Sequence, residues 1–220
     1  MMVVSVNGKG IADLAKIHKI YDWVKNMLVA ILMYQEFMVS DIFDGSRLLE
    51  LFIEKDFIFL HTSLGQGLIT IIQKSCFGKD ITISLNNKSV DQNHLIHEIV
   101  LSKGKEKFKP GNVYFSPKLG KLNCKALNSL KSFDICAGDF NTNFQHVCEK
   151  KDQLLDLAEE LHYNQLVEWP TFYSRITKDW ASNHEFGPDL CYSRDIFDVS
   201  VRRGKRIDDH ASLIIDIDVK

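Results

Sequence analysis

No apolar stretch of this chain reaches the roughly 18 residues that a bilayer-spanning helix requires, and the opening MMVVSVNGKG lacks the apolar core of a secretion signal. Neither membrane insertion nor export by a visible leader is expected. The five cysteines, Cys76, Cys124, Cys136, Cys148 and Cys191, are an odd number without a CxxC pair, which argues against a disulfide framework and against a structural zinc site. They read as small core hydrophobes in a reducing intracellular compartment, nuclear or cytoplasmic. Charge of one sign is also scarce. Lysine and arginine number 27 against 29 aspartates and glutamates, a net charge of −2, so no whole-chain basic field advertises nucleic acid or membrane and any such case rests on local charge. Repeats, low-complexity tracts and linkers are missing too. The 220 residues are therefore expected to form one domain over 1–220.

What the chain has is apolar material in short runs, 45% of its residues, enough for a sizeable core. MVVSV at 2–6 reads as a strand ending at Asn7-Gly8. From Ile11 to Leu28, apolar residues recur at three and four while Lys16, Lys19, Asp22 and Lys25 take the other face, the pattern of an amphipathic helix. Val29–Tyr34 is a second apolar run, closed by Gln35-Glu36. Further strands are expected at 67–73, 80–85, 95–102, 111–115, 195–201 and 211–219, and helices at 119–131 and 152–162. Mixed strands and helices of this kind suit two sheets packed face to face with helices outside.

One stretch raises a question of its own. ICAGDFNTNF at 135–144 climbs through an apolar run and then sets Asp139 and Asn141 two residues apart, just past Gly138. Alternate residues of a strand share a face, so the pair makes a small polar claw; Asp, Asn and Gly are equally the residues of an ordinary strand-to-turn exit. Four apolar runs end in this way, at Asn7, at Glu36, at Asp139 with Asn141, and at Asp209-His210. In a layered fold, strand ends on one side gather. Oxygen donors such as Glu36, Asp139 and Asp209 suit Mg²⁺ or Mn²⁺, and carboxylate, amide and imidazole together suit cleavage of a phosphate ester.

The ordered series ILMYQEF, NVYFSP, AGDFN, PTFYSR, GPDLCYS and DDHASLIIDI resembles the motif series of the endonuclease/exonuclease/phosphatase superfamily. Within it, the series is most similar to the apurinic-type endonuclease domain of non-LTR (LINE-like) retrotransposons. The resemblance implies a DNase I-like, four-layered α/β sandwich. It implies a Mg²⁺-dependent endonuclease (Mn²⁺ as a substitute) that nicks one strand of double-stranded DNA and leaves a 3′-hydroxyl for target-primed reverse transcription, with a reverse transcriptase of the same element as partner. By that resemblance Glu36, Asn7 and Asp209 are the metal set. Tyr114 touches the scissile phosphate, Asp139 places or activates water, Asn141 holds a phosphoryl oxygen, and His210 is a phosphate-binding imidazole oriented by Asp189. Thr171, Arg175, Lys178 and Trp180, in and after PTFYSR, and the basic Arg202 and Arg203 are the expected DNA contacts; the segment 174–188 corresponds to a hairpin that leans into the minor groove in similar endonucleases.

Two positions depart from the family pattern. Ser5-Val6-Asn7 stands where Asn-x-Asn or Asn-x-Asp is usual, and Asp208-Asp209-His210 where Ser-Asp-His is usual. They leave room for a decayed copy. A phosphatase or lipid phosphodiesterase is the other reading, although those relatives typically carry a histidine motif where this chain has Asn112-Val113-Tyr114. His18, His61, His97, His146, His162 and His184 have no motif context and read as surface or satisfied core histidines. Lys103, Lys105, Lys107 and Lys109 read as a solvated sheet edge.

Overall fold

The computed structural model describes residues 1–9, 14–37, 56–142, 148–167, 173–174, 179–180, 189–194, 198–207 and 210–218. In chain order these contain β1 (Met2–Asn7), α1 (Leu14–Asn26), β2 (Ile31–Gln35), β3 (Phe57–Thr62), β4 (Leu68–Gln73), β5 (Thr82–Asn87), β6 (His94–Lys103), β7 (Glu106–Phe108), β8 (Pro110–Phe115) and α2 (Cys124–Lys131). There follow β9 (Ile135–Asp139), α3 (Glu149–Glu160), β10 (Tyr163–Gln165), β11 (Tyr173–Ser174), β12 (Asp179–Trp180), β13 (Asp189–Arg194), β14 (Asp198–Ile207) and β15 (His210–Asp218).

Period-two alternation puts each strand's side chains on two faces, and the strands assemble accordingly. One sheet runs β14-β15-β1-β2-β4-β3, the other β10-β13-β9-β8-β6-β5 with β7 on β6. Each is mixed, because β1 runs parallel to β2 and β8 parallel to β9 while their other neighbours are antiparallel. Val3, Ile31, Met33, Ile72, Ile99, Ile135, Ala137, Cys191, Leu213 and Ile215 fill the space between the sheets. Val4, Val6, Leu32 and Tyr34 point the other way, onto Ile20, Tyr21 and Val24 of α1. On the far sheet, Val113, Phe115 and Cys136 meet Ala126 and Leu130 of α2 and Leu154 and Leu157 of α3. The result is the expected four-layered α/β sandwich. Among the described residues no helix is long and apolar enough to cross a membrane.

Several boundaries differ from expectation for local reasons. The helix expected from 119 begins only at Cys124, where Asn123 caps it by accepting the Ala126 N–H at 2.8 Å. The strand expected at 80–85 is displaced to Thr82–Asn87, held by its ladder to β6, and the one expected at 195–201 extends as Asp198–Ile207 along β15. Cysteines are core only in part: Cys136 and Cys191 are buried, Cys124 is exposed.

The space between the sheets also holds a polar chain. Gln35 Nε2 donates to Ser5 Oγ at 3.1 Å and to Asn112 Oδ1 at 2.7 Å; Asn112 Nδ2 donates to Thr70 Oγ1 at 3.0 Å. His97 closes it, with Thr70 Oγ1 3.0 Å from Nδ1 and Thr62 Oγ1 2.9 Å from Nε2. All six side chains are buried, so their mutual bonds replace lost hydration. Burial, then the neighbouring His61, pushes the His97 pKa down to about 3. The folded ring stays neutral, while an unfolded chain takes up a proton below about pH 6.5. His97 therefore supports the fold fully above that pH, and the support is lost as pH falls toward 3. From pH 7.5 to pH 5.0 the stability advantage of wild type over His97→Gln should shrink by roughly 2 kcal/mol, at about 1.4 kcal/mol per pH unit below 6.5. Urea unfolding of both proteins at the two pH values measures this, and a pH-independent difference would show that His97 is not a neutral, buried ring.

Candidate active site

Strand registers alone bring the polar ends together. In one sheet Tyr114 of β8 is paired with Asp139 of β9, which is paired with Asp189 of β13. Three reactive side chains thus stand side by side on one face, at the roughly 5 Å spacing of neighbouring strands. In the other sheet Asn7 is level with Gln35, immediately before Glu36, and His210 opens β15 opposite Ile207. The two rows meet. Asn7 Nδ2 donates to Asp139 Oδ2 at 2.6 Å across the sheets, and His210 Nδ1 lies 2.7 Å from Asp189 Oδ2. Potential ligand atoms of Asp139, Asp189 and His210 all lie within 4.8 Å of one another, and all three residues are buried.

The Asp-x-Asn spacing has a backbone explanation. Asp139 Oδ1 accepts the Asn141 N–H at 2.8 Å, and Asn7 Oδ1 accepts the Lys9 N–H at 3.0 Å. Both strands therefore leave their sheets through a turn closed by the side chain of the last strand residue. Lys9 and Asn141 take the left-handed conformation, with φ of 46° and 47°, and Glu36, directly after β2, has φ of 54°. Such φ values in side-chain-bearing residues cost energy and collect where geometry matters. The claw and the turn are the same object.

Gly138 permits the alignment. Its φ is 150°, and a Cβ there would sit 1.9 Å from the carbonyl oxygen of Val113 on the adjacent parallel strand. Only a glycine lets β9 lie this close to β8 and bring Asp139 level with Tyr114.

Electrostatics follow from crowding. Burial first, then the Asp189 carboxylate, raise the Asp139 pKa; His210, the Asn7 amide and the Asn141 N–H oppose them. Tyr114 is pushed up by burial first and then by the nearby charges of Glu36 and Asp139. One phenol thus borders both carboxylates.

The other expected residues divide. Asn141 Nδ2 donates to the Phe115 carbonyl at 2.9 Å, which uses one amide hydrogen and leaves the other. Arg202 is exposed and pairs with Asp216 at 3.3 Å. It lies five residues along β14 from Ile207, roughly 16 Å at strand spacing, so the structure does not bring it to the cluster; Arg203 is its exposed neighbour on the same strand. Tyr173 pairs with Trp180 and Ser174 with Asp179 in a short antiparallel ladder that overlaps the start of the segment 174–188. Asp209, Thr171, Arg175 and Lys178 lie outside the described residues, as does Asp208. Lys150, 2% exposed, was not singled out by the sequence, although its Nζ donates to the carbonyls of Phe140 at 3.1 Å and Asn141 at 2.6 Å. A lysine amid the acids of a helix's first turn gives no sign of being buried.

Gly138→Ala should cost at least roughly 3 kcal/mol, the scale of a backbone clash combined with a disfavoured φ. Gly120→Ala, at a site where a Cβ meets nothing within 4 Å, should change urea stability by less than about 0.5 kcal/mol. Equal stability of the two variants would refute the close β8–β9 approach.

Comparison with known proteins agrees with this architecture. No protein-family model matches the chain, and no curated protein is significantly similar to it in sequence. Solved structures are similar over nearly the whole length. The endonuclease domain of TRAS1, a telomere-specific non-LTR retrotransposon, is 16% identical with a TM-score of 0.66, covering 98% of this chain and 97% of that one. The D. rerio TDP2 structure complexed with a single-strand DNA product is 9% identical with a TM-score of 0.63, over 100% and 99% of the two chains. A mannosyl-6-phosphatase from Bacteroides thetaiotaomicron is 11% identical, with a TM-score of 0.62 and complete coverage of both chains. The chain has the DNase I-like fold of the endonuclease/exonuclease/phosphatase proteins.

Proposed function

We propose that the chain is a metal-dependent phosphodiesterase that nicks one strand of duplex DNA, leaving a 3′-hydroxyl, as the endonuclease domain of a non-LTR retrotransposon. The observation that carries the hydrolase reading is the buried Asp139–Asp189–His210 group, with Tyr114 level with Asp139 on the neighbouring strand. The DNA reading is supported by the likeness to the TRAS1 domain and by a tyrosine at a position where phosphatase relatives typically carry a histidine motif.

The donor set fits a hard divalent cation. It is dominated by oxygen, from Glu36, the Asn7 amide and the neighbouring carboxylates, which suits Mg²⁺ or Mn²⁺ rather than a thiophilic metal. Two buried carboxylates whose repulsion raises the Asp139 pKa also need positive charge nearby. Glu36, Asn7 and Asp209 would hold the ion, which when bound supplies charge neutralisation on a phosphoryl oxygen.

The chain's own groups account for the rest. Asp139 is buried beside a like charge, so once ionised it is a strong proton acceptor for an attacking water. Water delivers a hydroxyl to phosphorus, the bond from phosphorus to the 3′ oxygen breaks, and that oxygen leaves with a proton as the 3′-hydroxyl. Asp189 holds the Nδ1–H of His210, which turns Nε2 toward the pocket and favours the charged ring that a phosphoryl oxygen requires. The Tyr114 hydroxyl and the second amide hydrogen of Asn141 are further donors to phosphate oxygens.

A phosphomonoesterase is the second reading, supported by the equally complete likeness to the mannosyl-6-phosphatase. Supercoiled-plasmid nicking with Mg²⁺, beside release of phosphate from a sugar phosphate, separates the two. We expect nicking, abolished by EDTA, and at least roughly hundredfold less of it in Glu36→Ala, Asp139→Ala and His210→Ala, the usual scale for a positioned acid, base or charge stabiliser. A folded variant that nicks like wild type removes that residue from the site. Asp189→Asn should lose no more than His210→Ala, since the ring keeps its place and loses only its anionic partner. Phosphate release without nicking would overturn the DNA reading.

A further inference from the structure

The hydrolytic role above assigns nothing to Lys150, yet its placement runs against every local preference. A lysine in the first turn of a helix opposes the helix dipole, and burying an ammonium is expensive unless it is hydrogen bonded. Lys150 is nevertheless 2% exposed, and burial pushes its pKa down, opposed by Cys148 and Asp139. Its Nζ reaches the carbonyls of Phe140 and Asn141, the two residues directly after Asp139. Phe140 is itself fixed: it is fully buried, stacks edge-on with Phe115 and Tyr192 at 5.5 and 5.6 Å, and its carbonyl also accepts the Thr142 hydroxyl at 3.0 Å.

Resting on the hydrolase reading, we propose that Lys150 is a positioning residue: its ammonium clamps the Phe140 and Asn141 carbonyls and so holds the left-handed turn that aims Asp139 and Asn141 at the phosphate. The charge matters as well as the reach. Two peptide carbonyls drawn toward one cation orient both peptide planes, which fixes the Asn141 N–H on Asp139 Oδ1. Two of the three N–H donors of Nζ are on those carbonyls, and the side chain is buried, so its role is to position and not to touch substrate. Displacement of reacting groups by about 1 Å is enough to lower a rate by as much as roughly a hundredfold.

The test compares Lys150→Met with Gln153→Met. Gln153 is on the same helix and makes two hydrogen bonds to the Leu122 backbone, away from the turn, so it controls for loosening of α3. Plasmid nicking is measured well below each variant's melting temperature, together with amide hydrogen exchange at Phe140–Thr142. Lys150→Met should lower kcat roughly tenfold to a hundredfold with KM and the Mg²⁺ midpoint within about twofold, and should speed exchange of the Asn141 amide at least roughly tenfold. Gln153→Met should leave both near wild type. If Lys150→Met does not fold, Lys150→Gln, which lacks the charge and the length, is read in the same way. Lysine and glutamine variants indistinguishable in kcat and in Asn141 exchange overturn the clamp. Absence of any phosphoester cleavage by wild type overturns the hydrolase reading instead, and the exchange comparison then decides the clamp by itself.

Discussion

The 2.6 Å hydrogen bond from Asn7 to Asp139 joins the two sheets at the point where their polar strand ends meet. The proposed catalytic arrangement leans on it. Asp139 has two carboxylate oxygens, one bound by Asn7 from the facing sheet and the other by the N–H of Asn141 from its own turn. The carboxylate is therefore fixed in all three dimensions by groups that belong to different layers. A slip of one sheet over the other breaks the first bond; a slackening of the turn breaks the second. Because each would leave a buried charge partly unsatisfied, at a cost of about 1–3 kcal/mol or more, the native registers and the site geometry are enforced together.

The energetic tension of the region is visible in its backbone and its charges. Lys9, Glu36 and Asn141 take left-handed φ values at successive strand exits, and Asp139 and Asp189 bury two carboxylates beside one imidazole. None of this helps the chain fold. The compensation lies below, in the apolar layers on both faces of each sheet and in the polar chain from Ser5 to Thr62. Ser5, a departure from the usual asparagine, accepts the Gln35 amide, and Gln35 directly precedes Glu36. The shortened side chain thus still serves the strand end that carries a proposed metal ligand. Left-handed strand exits and buried carboxylates gathered at one end of a sandwich are the pattern expected of a site for chemistry.

How much of this can be read from the residues alone depends on how strong each local signal is. β1, β2, β4, β6, β8, β9 and β15 follow from apolar runs with clear ends, because a strand buried on both faces needs such a run. The three-residue β7 and β10 have too little sequence to show a period, and β3 alternates weakly, with intermediate burial along most of its length. Asn7, Glu36, Tyr114, Asp139, Asn141, Asp189 and His210 stand out in the sequence because they lie at the ends of apolar runs or in the ordered motifs, and the structure places Asn7, Tyr114, Asp139, Asp189 and His210 close together. His97 read as a surface or satisfied core histidine, and the hydroxyls of Thr62 and Thr70 from other strands make it the latter. Lys150 gave no signal, because a lysine in an acidic helix turn looks like a surface residue until the carbonyls it reaches are known.

Substrate class is a separate question from chemistry, and the geometry explains why. The groups that would polarise and attack a phosphoester are tied to β1, β2, β8, β9, β13 and β15, whose registers are fixed by burial. A nuclease and a phosphatase built on this sandwich can share most of them, Tyr114 being the exception. Discrimination must come from what surrounds the mouth, where a long polyanion meets the protein over many ångströms and a small phosphate does not. Arg202 is engaged by Asp216 and stands well along its strand, so on the proposed reading a duplex seated over Asp139 would draw less on that arginine than on groups nearer the cluster. By the same reading, the strand registers set how a phosphoester would be cut, and which one is cut is left to residues outside those strands.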